Sequence, residues 1–133
     1  VRAQRTVMQL IRFFLMVLSV ALTGASMAAG GQEQAVIVHS TLPSVNNDEL
    51  FRQIGVLEDQ LRSAINAADA GEFDGNEIGE GELVLYMYGP DAEKLFTVVA
   101  PVLRQAKLTH SGVVSVRHGP PGAVAREVKL SAP

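Results

Sequence analysis

The sequence has no cysteine and no tryptophan, and aromatic residues account for only 5% of its 133 positions. The absence of cysteine excludes disulfides, thiol nucleophiles, lipid-bearing cysteines and cysteine-bound metals. The chain also lacks the G-x-S-x-G, phosphate-loop and dinucleotide-binding motifs, and its three histidines have no zinc-ligand spacing. The sequence therefore predicts no catalytic residues, no metal site and no cofactor.

What is present is typical of one small globular domain. Hydrophobic residues make up 47% of the chain, and the length fits one domain with a short extension. We divide the sequence into an N-terminal segment at residues 1–29, a linker at 30–34, a domain at 35–130 and a tail at 131–133. A domain of roughly 100 residues can hold its fold by packing alone.

Residues 1–29 have the order of a secretory signal peptide. Three arginines come first, a nearly uninterrupted apolar run follows at residues 13–22, and small residues then lead to a small-x-small cleavage pattern. The apolar run is much shorter than the ~20 residues that a membrane-spanning helix needs. We therefore predict export to the periplasm, cleavage after Ala28 or Ala29, and membrane contact through this segment only. The alternatives are an uncleaved anchor, and translation from Met27, which would leave the protein cytoplasmic.

Hydrophobic spacing predicts the elements of the domain. Apolar residues recur at steps of three and four over residues 50–68, which indicates one long helix. Asn46 or Asn47 provides an N-cap, and Gly71 is the residue expected just past the C-terminus. Pro101 lies inside a second helical stripe and is expected to kink or shorten that helix. The predicted elements are strand 35–41, helix 48–70, a short edge strand at 72–74, a glycine-rich turn, strand 83–88, a helix from Asp91, strand 113–118 and strand 124–130.

This β-α-β-β-α-β order with one further strand predicts an α+β, ferredoxin-like sandwich. In that fold, two helices cover one face of an antiparallel sheet, and the first strand lies between the third and the fourth. The last strand is expected to form a hairpin with the strand before it, across a turn at residues 119–122. The other face of the sheet is then open, or it pairs with something else.

The stretch GEFDGNEIGEGELVLYMYGPDAEKLF, with RHGPPGA further on, resembles a pattern found in small bacterial proteins of ferredoxin-like type. The resemblance covers residues 35–130. It implies the same fold for this chain. It implies no activity, and no catalytic residue carries over from it.

Charge is divided unevenly along the chain. Residues 48–93 hold twelve carboxylates against two arginines, a net charge of −10. Residues 94–133 hold six basic residues against one glutamate, a net charge of +5. The domain as a whole is acidic, so we predict no nucleic-acid partner. The uneven division either lets the two halves attract each other or marks an acidic surface that fits a basic protein partner.

Part of this negative charge lies in the glycine-rich stretch, on Asp74, Glu77, Glu80 and Glu82. Asp74 and Asn76 match the opening of an EF-hand calcium loop, but the match fails because Leu85 stands where the terminal glutamate belongs. Glu77 and Glu80 could act as acid and base, but nothing places a nucleophile beside them. We interpret the four carboxylates as an acidic edge, either solvated or turned toward a protein.

A second candidate surface is the open face of the predicted sheet. Alternation along the strands places four side chains there, away from the helices: His39, Tyr86, Tyr88 and Arg117. Tyrosine and arginine are residue types that dominate protein-binding hot spots. The competing interpretation is that these side chains support the fifth strand or a homodimer contact.

Two classes of function follow from these surfaces. The one we favour is a non-catalytic protein-interaction or regulatory module that binds through the acidic edge or the open face. The other is a small-molecule binder or small enzyme that uses the open-face residues. A deep pocket beside His39 and Arg117 would favour the second class, and a flat face would favour the first.

Overall fold

The computed structural model describes residues 33–131, so the predicted signal segment at 1–29 lies outside the described residues. Within the described range, no helix is both long and apolar enough to cross a membrane. The elements in chain order are β1 Gln34–Thr41, α1 Asn47–Ala67, β2 Glu72–Gly79, β3 Glu82–Gly89, α2 Ala92–Gln105, β4 Val113–Arg117 and β5 Ala125–Lys129.

The five strands form one antiparallel sheet in the order β2-β3-β1-β4-β5. β1 pairs with both β3 and β4, so it is the central strand, and β2 and β5 are the two edges. Each helix joins two parallel strands that have one strand between them. The α+β, ferredoxin-like fold, the central position of β1 and the additional C-terminal strand are all confirmed.

The core lies between one face of this sheet and the two helices. Every second residue of the inner strands faces the helices, as the two-residue period of a strand requires. The helices contribute side chains at the three- and four-residue steps of an amphipathic helix. The central buried residues are Val36, Val38, Ile54, Leu57, Leu61, Ile65, Leu83, Leu85, Met87, Leu95, Val99, Leu103, Val114 and Val116.

α1 begins as predicted and ends earlier. The side-chain oxygen of Asn46 accepts a hydrogen bond from the Glu49 backbone N–H at 2.8 Å, which confirms the N-cap. The helix ends at Ala67, and the residue with left-handed backbone just beyond it is Asp69, with φ of 48°. The prediction that Gly71 fills this position was wrong.

Gly71 instead lies where two backbone segments approach each other. Its φ is 142°, and a Cβ at this position would overlap the carbonyl oxygen of Tyr88. A glycine is required there because the chain entering β2 passes directly against the end of β3. The local sequence could not show this, since Tyr88 is 17 positions away.

The second strand is longer than predicted. The prediction of a short strand at residues 72–74 followed by a glycine-rich turn was wrong, because β2 continues to Gly79. The turn consists of Glu80 and Gly81 only, with φ of 53° and 79°. Two successive positive φ values are those of a tight two-residue hairpin turn. The pairing with β3 shifts by one residue between Phe73 and Gly75, so Asp74 is the extra residue of a β-bulge.

α2 also begins as predicted. The Asp91 side chain accepts hydrogen bonds from the backbone N–H groups of Glu93 and Lys94, both at 3.1 Å. Pro101 lies inside the helix, which continues beyond it to Gln105. Pro101 is on the exposed side of the helix, so water can reach the carbonyl that the missing N–H leaves without a helical partner.

Candidate functional site

The face of the sheet opposite the helices, called here the open face, is organised in three rows that run across all five strands. Paired residues define each row, because partners in neighbouring strands stand side by side. We name each row after one member. The Arg117 row is Glu72, Tyr88, Ala35, Arg117 and Ala125; the Ile37 row is Gly75, Tyr86, Ile37, Ser115 and Glu127; the His39 row is Glu77, Val84, His39, Val113 and Lys129.

The four open-face residues predicted from the sequence all lie on this face, but they do not converge on one point. Tyr88 and Arg117 share a row and flank Ala35, so their backbones are about 10 Å apart, two strand spacings. His39 is four residues along β1 from Ala35, a distance of about 13 Å. The open face therefore presents these side chains as a spread surface and not as a compact ligand site.

Arg117 has one part of its guanidinium fixed by the protein. Its Nε donates a hydrogen bond to the carbonyl oxygen of Gly119 at 2.8 Å, in the turn between β4 and β5. The side chain is half-buried. Because Nε is the atom engaged, the terminal nitrogens and the flat face of the guanidinium are left for a second group to contact.

Tyr86 connects the open face to the acidic edge. Its hydroxyl donates a hydrogen bond to Glu77 Oε2 at 3.0 Å. This bond to the carboxylate raises the pKa of Tyr86 above its ordinary value, so the phenol remains a donor near neutral pH. The aromatic ring of Tyr86 is thereby held in one place between β2 and β3.

The four predicted acidic residues are distributed along the β2–β3 hairpin. Glu77 and Glu82 lie on the open-face side, Asp74 is at the bulge, and Glu80 is in the turn. None of the four forms an ion pair with a basic side chain in the described part of the chain. Within residues 33–131 there is also no group of three or more histidine or acidic side chains arranged to hold a metal ion.

α1 holds the acidic hairpin in position from the other side of the sheet. The guanidinium of Arg62 lies over the ring of Phe73, 4.9 Å from its centroid. Asn76 donates a hydrogen bond to Glu58 on the same helix. Because these contacts come from the helix face, the open-face side of β2 keeps its carboxylates available for other contacts.

Charge on the open face differs from one edge of the sheet to the other. Glu72, Glu77 and Glu82 lie on the β2–β3 side. Arg117 and Lys129 lie on the β4–β5 side, together with Glu127. Between these two sides, the centre of the face is apolar and half-buried, formed by Ile37, Val84, Tyr86, Tyr88 and Val113.

The cavities described for residues 33–131 lie away from His39 and Arg117. A groove of about 420 Å³ lies on the helix side of the molecule, and Arg52, Val56 and Lys107 are among the residues that line it. A shallow cavity of about 560 Å³ lies at the β2–β3 hairpin. Tyr88 lines a further cavity of about 300 Å³ at the end of β3, and neither His39 nor Arg117 lines any of these cavities.

The structure also contains a polar cluster that the sequence did not predict. Glu93 on α2 accepts hydrogen bonds from His118 Nε2 at 2.8 Å and from Arg126 Nη2 at 2.6 Å. The bonds from Arg126 and then His118 lower the pKa of Glu93 below its ordinary value. This cluster ties β5 to α2. No local signal could have found it, because its members are 25 and 33 positions from Glu93.

No family model, curated protein or solved structure matches the chain.

Proposed function

We propose that the protein is a non-catalytic interaction module that binds a protein partner through the open face of its sheet. The observation that carries this proposal is the face itself, which neither helix of residues 33–131 covers and on whose three rows only Ala35 is fully buried. One face of the sheet packs against the helices, and an antiparallel sheet often leaves its second face to water. A solvated second face is ordinarily polar, whereas the centre of this one is apolar and aromatic.

The size of the open face fits a protein and exceeds what a small molecule needs. Three eight-residue strands about 26 Å long and two five-residue strands about 17 Å long, spaced ~4.8 Å apart, give a projected area on the order of 500 Å². Specific protein interfaces bury roughly 800 Å² on each partner. The open face therefore supports an interface at the lower end of the usual range.

The spread of the candidate residues over the open face favours protein binding over catalysis or small-molecule binding. Ligand sites for small molecules are concave and enclose most of the ligand. The four candidate residues are instead spread over about 10–13 Å of the sheet, and no cavity described above brings them together. Tyr86, Tyr88 and Arg117 are residue types that contribute strongly to protein-binding energy when an interface covers them.

Charge supports a partner with basic groups at one side of the interface. Glu72, Glu77 and Glu82 lie at the β2–β3 side of the face without basic partners among the described residues. Complementary charge at the rim of an interface speeds association and fixes orientation. In this proposal, the acidic edge forms one side of the interface on the open face and is not a separate binding site.

The test is a photo-cross-linking phenylalanine analogue placed at Tyr86, in protein made at its natural level in its own host. The matched control places the same analogue at Arg104, which is exposed on α2. We expect a protein adduct from position 86 and none from position 104. The adduct should be lost when Tyr88→Ala is added. Adducts from position 104 alone, or from neither position, would contradict the proposal.

A further inference from the structure

We infer that the partner that fits the open face is a second copy of this chain, packed face to face about a two-fold axis that runs parallel to the strands. This inference rests on the proposed function, because it uses the same face. The order of residues in the three rows is what indicates a second copy as the partner. Two sheets that pack face to face keep their strands nearly aligned, which such an axis allows.

The axis determines which strands meet. A rotation of 180° about an axis along β1 leaves each residue at its own level and exchanges the two sides of the sheet. β1 then faces β1 of the second copy, β3 faces β4, and β2 faces β5. Each row consequently packs against the same row of the second copy, read in the opposite direction.

The Arg117 row is complementary to itself under this operation. Tyr88 of one copy faces Arg117 of the other, and the contact occurs twice. Arg117 is oriented by its bond to Gly119, so the guanidinium is pre-positioned to stack on a tyrosine ring. Ala35 between them is fully buried, so in this row Tyr88 and Arg117 make the contact rather than the residue on the axis.

The His39 row is complementary in charge at its two ends and has a valine next to each of them. Glu77 at one end of the row faces Lys129 of the second copy at the other end. Val84 faces Val113 of the second copy in the same way. Opposite charges therefore meet at the rim, apolar side chains meet inside them, and His39 meets His39 of the second copy at the axis.

The Ile37 row supplies the centre of the contact. Ile37 lies on β1, so it packs against Ile37 of the second copy at the axis. Tyr86 faces Ser115 of the second copy, and Glu127 faces Gly75, which has no side chain to obstruct it. The most apolar residue of β1 on this face thus lies at the axis in the middle row.

The alternative face-to-face axis, perpendicular to the strands, gives a poor contact. It would place β2 against β2 and β3 against β3 of the second copy, so the side of the face that carries Glu72, Glu77 and Glu82 would meet itself. Like charges placed opposite each other are destabilising. The charge pattern of the open face thus selects the axis parallel to the strands.

The experiment is sedimentation equilibrium of the purified protein from micromolar to millimolar concentration, with charge-reversal variants. Glu77→Lys and Lys129→Glu each replace two attractions per dimer by two repulsions, and each should raise the dissociation constant at least about tenfold. The double variant restores both pairs and should restore association. Glu80→Lys, which makes the same charge change in the hairpin turn, should leave association unchanged.

Both changed side chains are exposed, so far-UV circular dichroism of each variant should match that of the parent protein and show that the fold is kept. A monomer at every concentration would overturn the inference, as would a dimer that ignores the single reversals or a double variant that fails to associate. The protein could be monomeric in sedimentation and still form an adduct from position 86 with a different protein. That result would overturn the inference that the partner is a second copy, and it would leave the proposed function in place. If the protein is a monomer at every concentration and no protein adduct forms from position 86, the second copy and the proposed function are both overturned.

Discussion

Replacing Gly71 by alanine is expected to destabilise the protein strongly. The backbone of Gly71 has φ of 142°, and an added Cβ would overlap the Tyr88 carbonyl oxygen and approach Gly89 Cα. A backbone conformation that L-residues avoid costs about 1–3 kcal/mol. Displacing packed neighbours costs about 1–3 kcal/mol more. Because the obstructing atoms are backbone atoms of β3, no side-chain rotation can relieve the overlap, and we expect a total loss of about 2–6 kcal/mol.

The assay is urea unfolding followed by far-UV circular dichroism, with Gly79→Ala as the matched control. A Cβ at Gly79 meets open space, and Gly79 does not have a left-handed backbone. Gly79→Ala should therefore change the free energy of unfolding by less than about 1 kcal/mol, in the stabilising direction. A loss below about 0.5 kcal/mol for Gly71→Ala, the range of surface substitutions, would refute the close approach of the two segments.

Four further outcomes are expected. Leu61 is fully buried, so Leu61→Ala should lower the free energy of unfolding by about 2–5 kcal/mol in the same assay, and a loss under about 0.5 kcal/mol would contradict its place in the core. The pKa of Glu93 is lowered in the folded state, so its stabilisation is present above the unfolded pKa and is lost as pH falls through the folded value. The stability difference between the parent protein and Glu93→Gln should therefore be present at neutral pH and disappear in acid; a difference independent of pH would count against the cluster. Calorimetric titration with Ca²⁺, Mg²⁺ or Mn²⁺ should show no stoichiometric binding, and micromolar binding abolished by Asp74→Asn would reverse the interpretation of the acidic edge. N-terminal sequencing of the protein from its own host should begin at Ala29 or Gly30, and a product that starts at Met27 would contradict export.

The helices and the inner strands could be predicted because their patterns are strong and local. The stripe from Leu50 to Ile65 repeats at helical spacing, and all five of its predicted core positions up to Ile65 are buried. In β3, Leu83, Leu85 and Met87 alternate with residues of the open face. Successive side chains of a strand point to opposite faces of the sheet, so the face of each residue could be predicted from its position in the strand.

The extent of β2 could not be predicted in the same way. Its glycine and glutamate residues have low strand propensity, and they become a strand because β3 supplies a pairing partner. Residues 75–79 look like a turn in isolation. The energy that decides their conformation comes from the hydrogen bonds and side-chain pairs of a neighbouring strand.

Register explains why the candidate site was only partly predictable. Alternation placed His39, Tyr86, Tyr88 and Arg117 on one face, and the structure agrees. Their positions along the strands depend on which residue pairs with which, and a shift of two residues keeps the face while changing every neighbour. The sequence therefore predicted a shared face, but not that Tyr88 and Arg117 share a row that excludes His39.

The most direct test of the open face as a contact surface is an isotope-filtered nuclear Overhauser experiment on an equal mixture of labelled and unlabelled protein. Within one copy, Val84 and Val113 lie on opposite sides of His39, with backbones about 10 Å apart. Between copies, the proposed packing places their methyl groups in contact. We predict a Val84–Val113 signal between labelled and unlabelled chains. Signals between chains that come from the helix side instead, such as from Val56, would contradict the account.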